Sequence, residues 1–185
     1  MSTKKVTRHQ IGEVIYTAEE LATRIAQLGA SITADYASRV SEESPLVLIG
    51  VLKGVIPFFA DLMRAIDLPL EIYFLDIARY ASATRESVQM ELPAKMIGKI
   101  TSKHILFVED VINSGLTLNH LMRILYLAEP ETLEVCVMFD KQAQRIIDID
   151  LKYIGFSLDD EFVVGYGLDK HELYRNLPYV AVLKR

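Results

Sequence analysis

Two adjacent acids, Glu109 and Asp110, stand between an apolar run at residues 105–108 and the turn Asn113-Ser114-Gly115-Leu116-Thr117. After the turn, Leu118, Leu121, Met122 and Leu125 keep one apolar face of a helix. The acid pair suits sugar hydroxyls or a hydrated Mg²⁺. A helix N-terminus presents free N–H groups and partial positive charge, which receive a phosphate. Ser114 and Thr117 add hydroxyl donors, and Gly115 lets the backbone approach a ligand closely. Diol, metal and phosphate together describe a phosphorylated sugar. The same residues would also make a buried strand, a two-acid turn and a capped helix, so this stretch alone leaves both readings open.

Other residues of chemical interest lie at similar places. Lys53 sits between Gly50 and Gly54, after a strand-like run at 46–49 and before a helical run at 55–66, where one cation suits a pyrophosphate. Asp140, Lys141 and Arg145 follow another strand-like run, 133–139, which is apolar from Val135. Near the C-terminus come Phe162-Val163 and then Asp169 and Arg175. Taken alone, Lys53 and Lys141 read as solvated lysines, Phe162 as core and Arg175 as a surface charge.

The elements that must hold these residues follow from periodicity and punctuation. Residues 1–16 read as a short arm with Ile11, Val14 and Ile15 able to dock. Thr17 and Glu20 match a capping box, starting a helix from about Ala18 toward Arg39 with Gly29 as a weak point. Pro57 falls in the first turn of the next helix, where it costs little. Residues 70–77 read as a strand, 90–100 as a strand-like arm, and 153–156 and 179–183 as short strands. The segment 78–99 has weak periodicity and a small, polar middle, which suits a lid. Loops at the C-terminal edge of a parallel sheet are where α/β proteins bind ligands, and alternating strand and helix patterns imply such a sheet.

Four motifs, in order, carry a family resemblance. The stretch 105–118 resembles the phosphoribosyl-diphosphate signature of type I phosphoribosyltransferases. Leu52-Lys53-Gly54 with Phe58-Phe59-Ala60-Asp61-Leu62 is similar to the pyrophosphate loop and following helix of the hypoxanthine-guanine branch, in which a cis peptide often precedes the lysine. Asp140-Lys141, and Phe162-Val163 through Asp169 and Arg175, match its purine-side segments. The resemblance implies an α/β fold: a parallel five-stranded sheet flanked by helices, with a small hood built from both termini. It implies one domain over 1–185, with a core at about 35–155 and a mobile loop at about 78–99.

The roles it implies are specific. Glu109 and Asp110 hold the ribose hydroxyls, directly or through Mg²⁺, with Asp169 as a further metal contact. Ser114, Gly115, Leu116 and Thr117 bind the 5′-phosphate. Lys53, Gly54 and Arg175 bind pyrophosphate, and Tyr80 comes down with the lid. Phe162 stacks on the purine, Val163 offers backbone groups, and Lys141 contacts the exocyclic oxygen of a 6-oxopurine. An ammonium donates to that oxygen and offers an adenine amino group no acceptor. The implied reaction joins a purine base to phosphoribosyl diphosphate in purine salvage, in the cytoplasm, by a homodimer or homotetramer.

The match departs at one chemical position. Asn113 stands where the family has a proton-accepting aspartate, Leu116 where the purine branch usually has lysine, and Arg79 where the lid has serine. An amide accepts a hydrogen bond through its oxygen but takes up no proton at neutral pH. A second expectation therefore stands beside the enzyme: a catalytically weakened paralogue acting as a nucleotide-binding regulatory or interaction protein. Lys141, Phe162 and the acidic charge speak against a uracil-type or RNA-binding pyrimidine regulator.

Composition sets the outer limits. The 185 residues are 51% hydrophobic and carry a net charge of −5, which argues against a general nucleic-acid binder. No apolar run reaches the ~20 residues of a membrane span, and the first residues show no secretory pattern. The single cysteine, Cys136, lies in an apolar run and reads as core in a reducing compartment. The four histidines are scattered, without zinc spacing.

Overall fold

The computed structural model describes residues 11–75 and 94–184. Tyr80, Arg79 and most of the expected lid at 78–99 lie outside the described residues. The elements in chain order are β1 (Ile11–Tyr16), α1 (Ala18–Tyr36), β2 (Leu46–Val51), α2 (Ile56–Ala65), β3 (Leu70–Leu75), α3 (Ala94–Ile100), β4 (His104–Ile112), α4 (Leu116–Tyr126), β5 (Thr132–Asp140), β6 (Tyr153–Ser157), β7 (Val163–Val164) and β8 (Val180–Leu183).

The central sheet has the order β3-β2-β4-β5-β6, and every pair is parallel. β2 is buried along its whole length and β4 from Ile105 to Val108, because both faces of the sheet are covered there. On one face Leu46, Leu48 and Leu106 pack with Leu21, Ile25 and Leu28 of α1 and Phe58, Phe59 and Leu62 of α2. On the other, Val47, Ile49 and Phe107 pack with Ile100 of α3 and Leu118 and Leu125 of α4. Cys136 is fully buried, and burial pushes its thiol well up, so it is a core residue.

The chain leaves β2 toward one edge of the sheet and begins β4 on β2's other side. The strand order therefore reverses between β2 and β4, which opens a crevice at their C-terminal ends. β1, β8 and β7 form a second, antiparallel sheet of three strands. Tyr16 anchors it: its ring stacks on Phe156 at 4.1 Å and its hydroxyl donates to Ser157 O at 2.8 Å. Tyr166 donates to Asp61 on α2 at 2.7 Å.

Several details differ from the sequence expectations. The capping box of Thr17 and Glu20 is present, but α1 ends at Tyr36. Gly29 is no weak point: a Cβ there would lie 2.4 Å from Ala65 O, so glycine lets α1 cross close to the end of α2. Val14 is exposed at 44%, and Tyr16 docks in its place. Residues 94–100 form a helix instead of a strand-like arm, because Met96 and Ile100, four apart, bury on one face. The strand β4 runs on through Ile112, paired with Asp140, so the acid pair lies within its last residues and not after them.

Candidate active site

Two clefts open over the C-terminal ends of the central strands. One, of about 300 Å³, is lined by Asp110, Val111, Asn113, Lys141, Gln144, Phe162, Val163, Leu168 and Asp169. The other, of about 280 Å³, is lined by Glu109 through Gly115 with Thr117 and Leu118. They share Asp110, Val111 and Asn113, so Asn113 stands at their junction.

The second cleft has the parts of an anion site. Gly115 is the N-cap of α4 with φ of 79°, a left-handed conformation that suits glycine. The N-cap Gly115 offers no side chain to this helix end, and the Ser114 hydroxyl accepts from Leu116 N–H at 3.4 Å. Its first N–H groups therefore face the turn with their partial positive charge. Leu116 itself is 52% exposed and is not among the lining residues.

Below the turn the acids are poorly compensated. Glu109 Oε2 is enclosed and has no hydrogen-bond partner among the described residues. Burial, then the neighbouring Asp110, pushes the Glu109 carboxyl well above the ordinary range. Burial also lifts Asp110 to about 6, against the bond that its Oδ1 accepts from Val111 N–H at 2.8 Å. A buried acceptor without a partner is costly. Such a pair suits hydroxyl donors or a hard cation.

The loop after β2 meets this pair directly. The Leu52–Lys53 peptide is cis. A Cβ on Gly54 would lie 1.8 Å from Asp110 Oδ2, and one on Gly167, whose φ is 97°, would lie 1.9 Å from Gly54 O. Gly54, Asp110 and Gly167 thus pack with no room for a side chain at either glycine. Beside them runs a chain of charges. Arg175 pairs with Asp169 at 2.8 Å and with Glu172 at 3.4 Å, and donates to Gly167 O at 2.8 Å. Lys53 pairs with the same Glu172 at 3.0 Å. The Lys53 contact holds Glu172 below the usual carboxylate range. Both partners of that pair are 63% exposed, so water screens it and a substrate anion can replace it.

On the base side, Lys141 is buried and its ammonium donates to Glu161 O at 2.6 Å. It is therefore not a solvated lysine. Phe162 is 52% exposed, so it is not core either. Arg175, with a side chain 25% exposed, is more enclosed than a surface charge.

Residues 17–171 match the family model described as the phosphoribosyl transferase domain. The chain belongs to the phosphoribosyltransferase family. It is 39% identical over 177 residues to a hypoxanthine-guanine phosphoribosyltransferase of Bacillus subtilis, covering 96% of each chain. A Trypanosoma cruzi hypoxanthine phosphoribosyltransferase solved with its product IMP is similar at a TM-score of 0.86 and 33% identity, over 96% of this chain and 97% of that one. A Leishmania tarentolae enzyme solved with GMP is similar at 0.82 and 30%, over 96% and 99%.

Reading the phosphoribosyltransferase from sequence alone passes over four of its site residues. Glu172, three residues before Arg175, bridges the two cations, and its only sequence signal is that spacing. Gln144 and Leu168 line the first cleft, and nothing in their local pattern marks them. Gly167 closes the segment Gly165-Tyr166-Gly167, where two glycines so close together point to backbone packing.

Proposed function

We propose that this chain transfers the phosphoribosyl group from phosphoribosyl diphosphate to hypoxanthine or guanine, giving the nucleoside 5′-monophosphate and pyrophosphate. The observation that carries this is the junction of two clefts, one bringing Phe162, Val163 and Leu168 beside the buried Lys141, the other a helix N-terminus above a poorly compensated acid pair. The joined clefts suit a base and a sugar phosphate held together, and the IMP and GMP complexes of the T. cruzi and L. tarentolae relatives support it.

In this reading the 5′-phosphate lies on the turn Ser114–Thr117, taking backbone N–H groups and the two hydroxyls. Glu109 and Asp110 face the ribose hydroxyls, and their charge favours a sugar centre that becomes cationic as its bond to pyrophosphate breaks. Lys53 and Arg175 exchange Glu172 for the leaving pyrophosphate. Phe162 covers the base, Val163 offers backbone groups to its edge, and Lys141 donates to its exocyclic oxygen. Asn113 accepts from N7–H through its amide oxygen without taking the proton, which passes to solvent water or to the departing pyrophosphate as the N9 bond to the sugar forms.

The enclosed, unpartnered Glu109 Oε2 beside Asp110 fits a hard cation. Among the described residues no group of three or more His, Cys, Asp or Glu is placed to hold a metal. Mg²⁺ is commonly bound by one or two carboxylates together with substrate oxygens. Glu109, Asp110 and Asp169 are the residues that would hold it, and when bound it neutralises charge on the leaving pyrophosphate.

The alternative of a weakened, regulatory paralogue finds no support in the relatives, which carry enzyme names. Among the described residues no helix is long and apolar enough to cross a membrane. The exposed Ile72 and Phe74, on one face of the edge strand β3, support a homo-oligomer. A panel of bases with phosphoribosyl diphosphate and Mg²⁺ tests the substrate: nucleotide should form from hypoxanthine and guanine and not from adenine. Equal use of adenine would overturn the role given to Lys141.

A further inference from the structure

A buried ion pair at the end of β5 takes part in none of the steps above. Arg145 Nε donates to Asp140 Oδ1 at 2.9 Å and Nη2 to Oδ2 at 2.5 Å, with the two side chains 14% and 5% exposed. Two parallel bonds to a planar guanidinium fix orientation as well as distance. Nη1 donates further to Ile149 O at 3.3 Å. Arg145 therefore closes residues 140–149 into a loop pinned to its own first residue.

That loop touches both halves of the site. Near its start it carries Lys141 and Gln144, which line the base-side cleft. Lys141 N–H is also tied to Ile112 O at 3.0 Å, at the end of β4. Farther on, Ile146 and Ile147 N–H both donate to Ser114 O, at 3.0 and 3.3 Å. A Cβ on Gly115 would lie 3.1 Å from Ile149 Cδ1 and 3.3 Å from Ile147 O, so the loop packs on the phosphate turn. A single rigid segment thus spans from the base lysine to the turn that would grip the phosphate.

We infer that Arg145, held by Asp140, is a positioning residue that sets the spacing between the base and phosphate subsites. The inference rests on the functional reading above. A ligand with both a base and a phosphate gains from being held at two ends only if the ends are the right distance apart. Loosening the loop should leave each half-site present and remove the gain from joining them.

The test compares dissociation constants for inosine and inosine 5′-monophosphate by calorimetry. The variants are Arg145→Met, Arg145→Lys and the double variant Asp140→Leu/Arg145→Met. The double variant leaves no unpaired buried carboxylate, so it decides the matter even if Arg145→Met fails to fold. The factor by which the phosphate improves binding should fall roughly tenfold to hundredfold in Arg145→Met and in the double variant. Arg145→Lys should restore little of it, because lysine brings charge without the two-pronged fork. An unchanged factor in the folded double variant would overturn the inference, since the pair would then serve stability alone. Full rescue by lysine would overturn it too. If the unaltered chain binds neither ligand, the functional reading fails and the inference with it. If the unaltered chain binds inosine 5′-monophosphate more tightly and the variants keep that advantage, only the inference fails.

Discussion

Substituting Gly54 by alanine attacks the closest contact in the site. The new Cβ would lie 1.8 Å from Asp110 Oδ2. Ordinary contact requires one or the other to retreat by roughly 1.5 Å. Asp110 has little freedom to move, because its Oδ1 accepts from Val111 N–H at 2.8 Å. The loop on the other side is blocked as well, since Gly54 O packs against Gly167. Overpacking of this kind costs about 1–3 kcal/mol. In a domain of this size that lowers the melting temperature by roughly 3–10 °C. The functional loss should be larger. A displacement of about 1 Å in a site costs on the order of 10²-fold in rate, and both the acid and the lysine loop are displaced here. We expect Gly54→Ala to melt within that range below wild type and to lose at least tenfold in kcat/KM for phosphoribosyl diphosphate. Gly98→Ala is the control. A Cβ at Gly98 would meet no atom within 4 Å, and the position is inside α3. There alanine should add about 0.5–1 kcal/mol of stability and leave activity alone. A Gly54→Ala enzyme with kcat/KM within threefold of wild type would refute the reasoning, because the close packing of Gly54 on Asp110 would then have no part in positioning the site.

Two further outcomes follow from the same residues. Asn113→Asp places a titratable carboxylate at the junction of the clefts, and kcat with hypoxanthine should rise, by about 10²-fold if general acid–base help is fully restored; steady-state kinetics on both proteins would show no gain if Asn113 does not face N7. Burial raises Asp110 to about 6 in the folded chain against about 4 when unfolded. The folded state therefore holds this proton longer, and the group's contribution to stability is greatest below about pH 4 and is lost as pH rises through about 6. The stability of the ligand-free wild type minus that of Asp110→Asn should fall across this window in denaturant titrations, and a difference independent of pH would mean that Asp110 is not buried as described.

The parts of the fold that periodicity governs were legible in the sequence. The runs at 46–49, 105–108 and 135–139 are apolar without alternation because both faces of a parallel strand are covered, and the structure buries them accordingly. The Thr17 and Glu20 cap was legible because its chemistry is local. The helix at 94–100 was missed where its only signal, Met96 and Ile100 four apart, sat beside a long segment of weak pattern. Among site residues, Glu109, Asp110 and the Ser114–Thr117 turn could be read because strand, acids and helix start are contiguous. Glu172, Gln144 and the Asp140–Arg145 pair could not, since each acquires its role from a partner distant in sequence or from how a loop folds back, which no spacing encodes. Gly29 misled for the same reason: its need for space comes from Ala65 on another helix.

The central claim is that one chain breaks a phosphoribosyl–pyrophosphate bond and passes the sugar to a 6-oxopurine. The most direct measurement follows pyrophosphate and inosine 5′-monophosphate together, with purified chain, hypoxanthine, phosphoribosyl diphosphate and Mg²⁺. The two products should appear in equal amounts, at a rate proportional to enzyme, and neither should appear when hypoxanthine is left out. Tight binding of inosine 5′-monophosphate with no formation of either product, from hypoxanthine or from guanine, would contradict it.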